Sequence, residues 1–241
     1  MAGNGNRIRE ISMGRMETTK VDGDDMGLYV ATPEGHGPFP AVAIMYHRGG
    51  IDAFTRDRAD RLAREGYIAI APDLFHRYPD VENPLERLDD LELEADITAA
   101  VTHVSAKPAF DGKLAIMGHC MGGRVAFLGA SINPAFSAAV IYYGGNMFKV
   151  WGKGKTPPFQ LLSGIRGPVI GFFGNDDKNP SPDDVTKIDA ELTRLGKAHE
   201  FHRYDGAGHA FQNFVRPEQY REAAEKDSWA RTIAFLKAAL A

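Results

Sequence analysis

Near the middle of the chain, Gly118-His119-Cys120-Met121-Gly122-Gly123 follows directly on the apolar run Leu114-Ala115-Ile116-Met117. A short apolar run leading into Gly-x-Cys-x-Gly predicts a strand that turns sharply into a helix, with Cys120 held in a strained conformation at the turn. Glycine is required two residues to either side because a side chain there would collide with the neighbouring strand or helix. The same turn lifts the thiol above the sheet and sets it at a helix N-terminus, where negative charge is favoured. A lone cysteine is commonly just a small buried hydrophobe; the turn around this one marks it as a candidate nucleophile.

The rest of the chain alternates in the way such a turn requires. Strand-like pieces at 16–21 and 27–31 are joined by the turn signal Asp22-Gly23-Asp24-Asp25. Continuous apolar runs at 41–46, 67–71, 138–143 and 168–173 read as strands buried on both faces. Between them the spacing predicts helices over 55–65, stopped by Gly66, over about 84–105, and after Cys120. Ser181-Pro182-Asp183-Asp184 is a capping arrangement, and it opens a helix whose stripe is Val185, Ile188, Leu192 and Leu195. A strand at 199–204 precedes a closing helix with Trp229, Ile233, Leu236 and Leu240 at helical spacing. Strands alternating with helices imply an α/β fold, a mostly parallel central sheet with helices on both faces. The expected organisation is a poorly ordered start over 1–15 and one domain over 16–241, with 151–158 an irregular excursion over the site.

Composition narrows the function classes. The chain has 241 residues, 44% hydrophobic, with 26 glycines and a net charge of -4, enough for one large core and without the basic clusters that bind nucleic acid. No apolar stretch approaches a membrane span, the polar first residues lack a signal-peptide core, and the single cysteine excludes an internal disulfide. The expectation is a cytoplasmic protein with neither nucleic acid nor membrane as partner.

In a sheet of this kind ligands sit at the carboxyl ends of the strands. Three polar groups fall there in the order nucleophile, acid, histidine: Cys120, then Asp176 or Asp177 in Gly174-Asn175-Asp176-Asp177, then His209 in Asp205-Gly206-Ala207-Gly208-His209-Ala210-Phe211. A thiol is only slightly ionised at neutral pH and needs a base; an imidazole needs a carboxylate to fix its tautomer. Acyl transfer also requires donors for an oxyanion, expected here from the backbone N–H of Met121 and of Arg48, in the loop His47-Arg48-Gly49-Gly50.

With these motifs, and with Arg56-Asp57-Arg58-Ala59-Asp60-Arg61-Leu62-Ala63 and Ala71-Pro72-Asp73-Leu74-Phe75 beside them, the chain from about residue 16 onward resembles the dienelactone hydrolase family. The resemblance implies the α/β-hydrolase fold and a Cys120-Asp177-His209 triad acting on ester and lactone carbonyls, with Asp177 preferred to Asp176. It sets His47 where the best-known members carry a glutamate, and matches their substrate-binding arginine with Arg77. The second family arginine, shortly after the histidine, is unmatched, since Phe211-Gln212-Asn213 stands there. Reaction class therefore carries over further than substrate. Tyr143, Phe211, Phe75 and the 151–158 stretch are expected to shape the pocket.

Other signals lead nowhere. Gly152-Lys153-Gly154-Lys155-Thr156 lacks the leading glycine of a phosphate loop and runs into Pro157-Pro158. His199 and His202 face opposite sides of a strand and cannot share a metal. The acidic run Asp89 to Glu94 reads as a solvated helix face. No metal or organic cofactor is expected. The expected activity is hydrolysis of a small ester or lactone through a thioacyl enzyme. An esterase or thioesterase acting on another activated acyl group is the alternative enzyme, and a thiol-sensing or binding protein the opposing class.

Overall fold

The computed structural model describes residues 12–241, so of the expected unordered start residues 1–11 lie outside the described residues. Strand β1 (Gly14–Val21) is already in the sheet at Gly14. It pairs antiparallel with β2 (Asp24–Ala31), and the turn between them is only Asp22-Gly23, both at positive φ (51° and 95°). That conformation matches the twist of a tight hairpin.

The remaining strands are β3 (Phe39–Met45), β4 (Ile68–Pro72), β5 (Phe110–His119), β6 (Phe136–Tyr142), β7 (Val169–Gly174) and β8 (His199–Tyr204). They join the hairpin in one sheet of order β1-β2-β4-β3-β5-β6-β7-β8, antiparallel as far as β4 and parallel from there on. The apolar runs form its parallel centre because strands covered on both faces have no side left for polar residues. Alternate residues of β5 go to opposite layers. Leu114 and Ile116 pack with Leu93, Ile97, Phe127 and Ile188, while Ala115 and Met117 pack with Leu62, Trp229 and Leu236.

The helices are α1 (Ala53–Arg64), α2 (Asp90–Ser105), α3 (Met121–Ile132), α4 (Pro158–Leu161), α5 (Pro182–Arg194) and α6 (Glu222–Ala239). Asp52 caps α1 by accepting the Thr55 N–H, and Gly66 at φ 94° ends it. The Gly66 N–H reaches the Ala63 carbonyl and the Tyr67 N–H that of Leu62, so a left-handed residue closes the last turn. At α5 the expected cap is complete: Ser181 accepts the Asp184 N–H, and Asp184 accepts the Ser181 N–H in return.

Two expectations are corrected. The helix expected over 84–105 is broken: a single 3-10 turn at Pro84–Arg87 is separated from α2 by Leu88 and Asp89 in extended conformation. The acidic run is also not a solvated face at its start, since Asp89 and Asp90 are buried. The cause is Arg124, fully buried in the first turn of α3. Its guanidinium forks onto Asp90 at 2.6 and 3.0 Å, donates to the carbonyls of Lys149 and Asn146, and lies 3.8 Å from the ring centre of Trp151. Asp90 also accepts the Trp151 N–H and Asp89 the Lys153 N–H. A buried cation and its carboxylate thus tie residues 146–153 to α2 and α3.

Removing one partner of a buried ion pair leaves an uncompensated charge. Asp90→Ala is therefore expected to lower stability by about 3–5 kcal/mol, whereas Ser181→Ala, which removes one cap, costs about 1 kcal/mol. Urea unfolding of the two variants beside wild type measures both; equal midpoints would remove the ion pair from its proposed place.

Candidate active site

The turn after β5 has the conformation its glycines predict. Cys120 sits at φ 58°, ψ -121°, between the end of β5 and the first residue of α3, with its N–H bonded to the Tyr142 carbonyl. A Cβ on Gly118 would lie 1.8 Å from the Gly122 carbonyl oxygen, and one on Gly122 would lie 2.0 Å from that of Met45. No side chain fits at either place. For a cysteine, positive φ is strained, and such strain collects where a side chain must be aimed.

Aimed at the thiol is His209, on the loop after β8. Its Nε2 lies 2.9 Å from Cys120 Sγ and its Nδ1 2.8 Å from Asp177 Oδ2. Of the two adjacent aspartates after β7, only Asp177 is turned inward; Asp176 is exposed and offers its backbone N–H to the Ala207 carbonyl. The second oxygen of Asp177 accepts the Asn179 N–H, which holds the carboxylate against rotation. Because a carboxylate only accepts, the proton on Nδ1 is fixed and Nε2 is the nitrogen that faces sulfur.

The electrostatics follow from these contacts. Burial pushes the Cys120 thiol up, but the imidazole of His209 and the backbone N–H groups of Met121 and Arg48 outweigh it, and the net direction is down. Burial pushes His209 down, yet its bonds to Asp177 and Cys120 raise it to about 10. Both shifts favour a thiolate beside an imidazolium. Further back, His119 is buried and held well below its ordinary value, first by burial and then by Arg58, so it stays neutral. It stacks on Tyr142 and bonds through Nε2 to Gln212, which reaches Ser228 of α6. That chain anchors the segment following His209 to β5 and α6.

Two recesses open on either side of the Cys120–His209 pair, and both are also bounded by Arg48. One, of about 100 Å³, is lined by His47, Phe54, Tyr143, Asn213, Arg216 and Gln219. The other, of about 280 Å³, is lined by Leu85, Met121, Asn146, Trp151 and Asn179. Of the 151–158 stretch, Trp151 is the residue that lines it.

Of the substrate-binding residues expected from the sequence, Tyr143 lines the smaller recess. Two others are placed elsewhere. Arg77 spends its guanidinium on Asp96 at 2.6 Å and Asp22 at 3.3 Å and lines neither recess. Phe211 is fully buried behind Tyr143, ring centres 5.2 Å apart, and supports that ring without reaching the surface. His47 borders the recess, but its ring nitrogens face Asp52 and the Gly49 N–H, not the thiol. Arg216 and Gln219 carried no local signal, because they lie on an irregular stretch between His209 and α6 that only tertiary packing folds over the cleft. Among the described residues no three His, Cys, Asp or Glu side chains gather as a metal site would require, and no helix is long and apolar enough to cross a membrane.

Comparison with known proteins identifies the fold and the family. A "putative carboxymethylenebutenolidase" of Yersinia pestis is 32% identical, covering 90% of this chain and 85% of its own. A "probable 2-oxo-3-(5-oxofuran-2-ylidene)propanoate lactonase" of Bradyrhizobium is 31% identical over 92% of this chain and 95% of its own. The crystal structure of a "putative dienelactone hydrolase" from Klebsiella pneumoniae superposes with a TM-score of 0.81 at 31% identity, covering 92% of this chain and 96% of that one. The sheet and its helices are those of the α/β-hydrolase fold, the model of the dienelactone hydrolase family matches residues 26–240, and the chain belongs to that family.

Proposed function

We propose that the protein hydrolyses small carboxylic esters and lactones with Cys120 as nucleophile, His209 as base and Asp177 as the group that orients it. The observation that carries this reading is the alignment of Sγ, imidazole and carboxylate at 2.9 and 2.8 Å. The family and the lactone-directed names of its relatives support a cyclic ester among the substrates.

In this scheme the thiolate attacks the carbonyl carbon, and the backbone N–H groups of Met121 and Arg48 hold the oxyanion. The carbon–oxygen bond then breaks, and the His209 imidazolium gives its proton to the departing alkoxide. In a lactone that alkoxide stays tethered to the acyl group. Neutral His209 next takes a proton from water, hydroxide attacks the thioester, and the thiolate leaves with the acid released. Such a nucleophile works only while it stays reduced, so a cytoplasmic setting is part of the proposal.

The smaller recess also supports an acidic substrate. Arg48 and Arg216 stand at its wall, neither has a side-chain partner among the described residues, and no carboxylate lines it. Arg77, already neutralised by Asp96, is not offered to substrate.

Three outcomes test these statements. Cys120→Ala is expected to lower kcat on an aryl acetate and an enol lactone by a factor on the order of 10⁴; near-wild-type turnover would end the scheme. Alkylation of Cys120 by iodoacetamide reports the thiolate. Its rate should rise at a lower pH than for an ordinary thiol; hydrolysis should in addition decline on the alkaline side as the His209 imidazolium is lost towards about 10. His209→Asn should move the alkylation curve upward in pH. Finally, Arg216→Ala should reduce kcat/KM for a carboxylate-bearing ester about 10- to 100-fold while sparing a neutral one, and Arg77→Ala should not discriminate between them. An equal loss on both esters would remove Arg216 from anion recognition.

A further inference from the structure

The Arg48 N–H belongs to a loop with no regular structure, residues 46–52, yet a preorganised donor has to be held to within a fraction of an ångström. What holds it is visible around His47. The side chain is buried, packed edge-on against Phe54 at 5.3 Å. Its Nε2 lies 3.0 Å from Asp52 Oδ2, and its Nδ1 faces the Gly49 N–H at 3.4 Å. The His47 carbonyl accepts the Gly50 N–H at 3.0 Å, so the chain closes into a turn around Arg48. The other oxygen of Asp52 caps α1 through the Thr55 N–H at 3.0 Å, and the Thr55 hydroxyl reaches the Gly50 carbonyl at 2.8 Å.

We propose that His47 and Asp52 form a latch that sets the position of the Arg48 N–H over Cys120, making both of them positioning residues for the oxyanion. The inference rests on the acyl-transfer reading above. Asp52 divides its two oxygens between a rigid helix and the loop, so the loop inherits the fixed position of α1. As an acceptor only, Asp52 requires the proton on Nε2 of His47, which leaves the Nδ1 lone pair toward the Gly49 N–H. Reversing that tautomer would set two N–H groups against each other and push the turn away. Gly49 has no room to yield, since even a Cβ there would fall 2.5 Å from the His47 ring and 2.8 Å from Asp52. The imidazole is turned into its own loop and serves the neighbouring N–H, not the thiol.

Asp52→Asn separates this role from a merely structural one. Asparagine still caps α1, but its amide directs N–H toward His47 and forces the wrong tautomer. With aryl acetate as substrate, kcat is expected to fall about 10- to 100-fold, with KM and the thermal midpoint near wild type. The iodoacetamide rate profile of Cys120 should shift to higher pH, because a displaced Arg48 N–H no longer stabilises the thiolate. His47→Gln, which retains a donor toward Asp52 but loses the acceptor facing Gly49, should do the same, and the double variant should be no worse than the poorer single one. Wild-type kcat with an unshifted alkylation profile in folded Asp52→Asn and His47→Gln overturns the latch, as does a loss seen only in KM or only in thermal stability. Cys120→Ala run alongside distinguishes the failures. If it is inactive while the latch variants behave as wild type, only the latch is wrong; if it retains activity, the thiol hydrolase and the latch fall together.

Discussion

Backbone-to-backbone contact at the turn after β5 is the constraint on which the remaining structure depends. Gly118, Gly122 and Gly123 bring the first turn of α3 against the carbonyls at the ends of β3 and β6, at separations that admit no Cβ. Everything placed at the site takes its reference from there. Cys120 is held at positive φ with its thiol outward, the Met121 N–H follows it at the head of the helix, and β3 ends beside it to release the loop carrying Arg48. The strain at Cys120 persists because β3 and β6 flank β5 and fix both ends of the turn.

Around that fixed point the polar groups are satisfied in chains rather than in pairs. Cys120 meets His209, which meets Asp177, which is held by the Asn179 N–H. His119, next to the thiol in sequence, faces the other way and secures the segment behind His209 through Gln212 and Ser228. Arg124, four residues past the thiol, holds Asp90 and the segment that brings Trp151 to the larger recess. One strand and its helix therefore organise the nucleophile, the support of the base and one wall of the pocket. In the low dielectric of such a site each unmet group would be costly, so these networks also fix the loops to single positions.

The difference between Asp177 and the acidic run at Asp89 shows how far local reading reaches. An acid at Asp176 or Asp177 was legible because both follow an apolar strand and precede a histidine loop in a recognised order; the family resemblance preferred Asp177. Asp89 and Asp90 look, in isolation, like the charged face of an amphipathic helix. Their burial depends on Arg124, 34 residues beyond Asp90, and no periodicity links the two. Arg77 failed for the same kind of reason: its place in the motif was matched, but Asp96 and Asp22 claimed its charge.

Sequence alone determined the alternation of strands and helices, the glycine-bounded turn at Cys120, and a candidate acid at Asp176 or Asp177 with a base at His209. The first two follow from the periods of strand and helix and from the steric demands of a single turn, which act over a few residues; the acid and base follow from their order at the strand ends, and the family resemblance narrowed the acid to Asp177. Tertiary structure decided which residues surround the reacting atoms: the arrival of Arg216 and Gln219 over one recess, the withdrawal of Arg77 and Phe211, and the engagement of His47 with Asp52. Side chains on irregular segments are positioned by partners far away in the chain, and whether a charge is free or already paired depends on what those partners are.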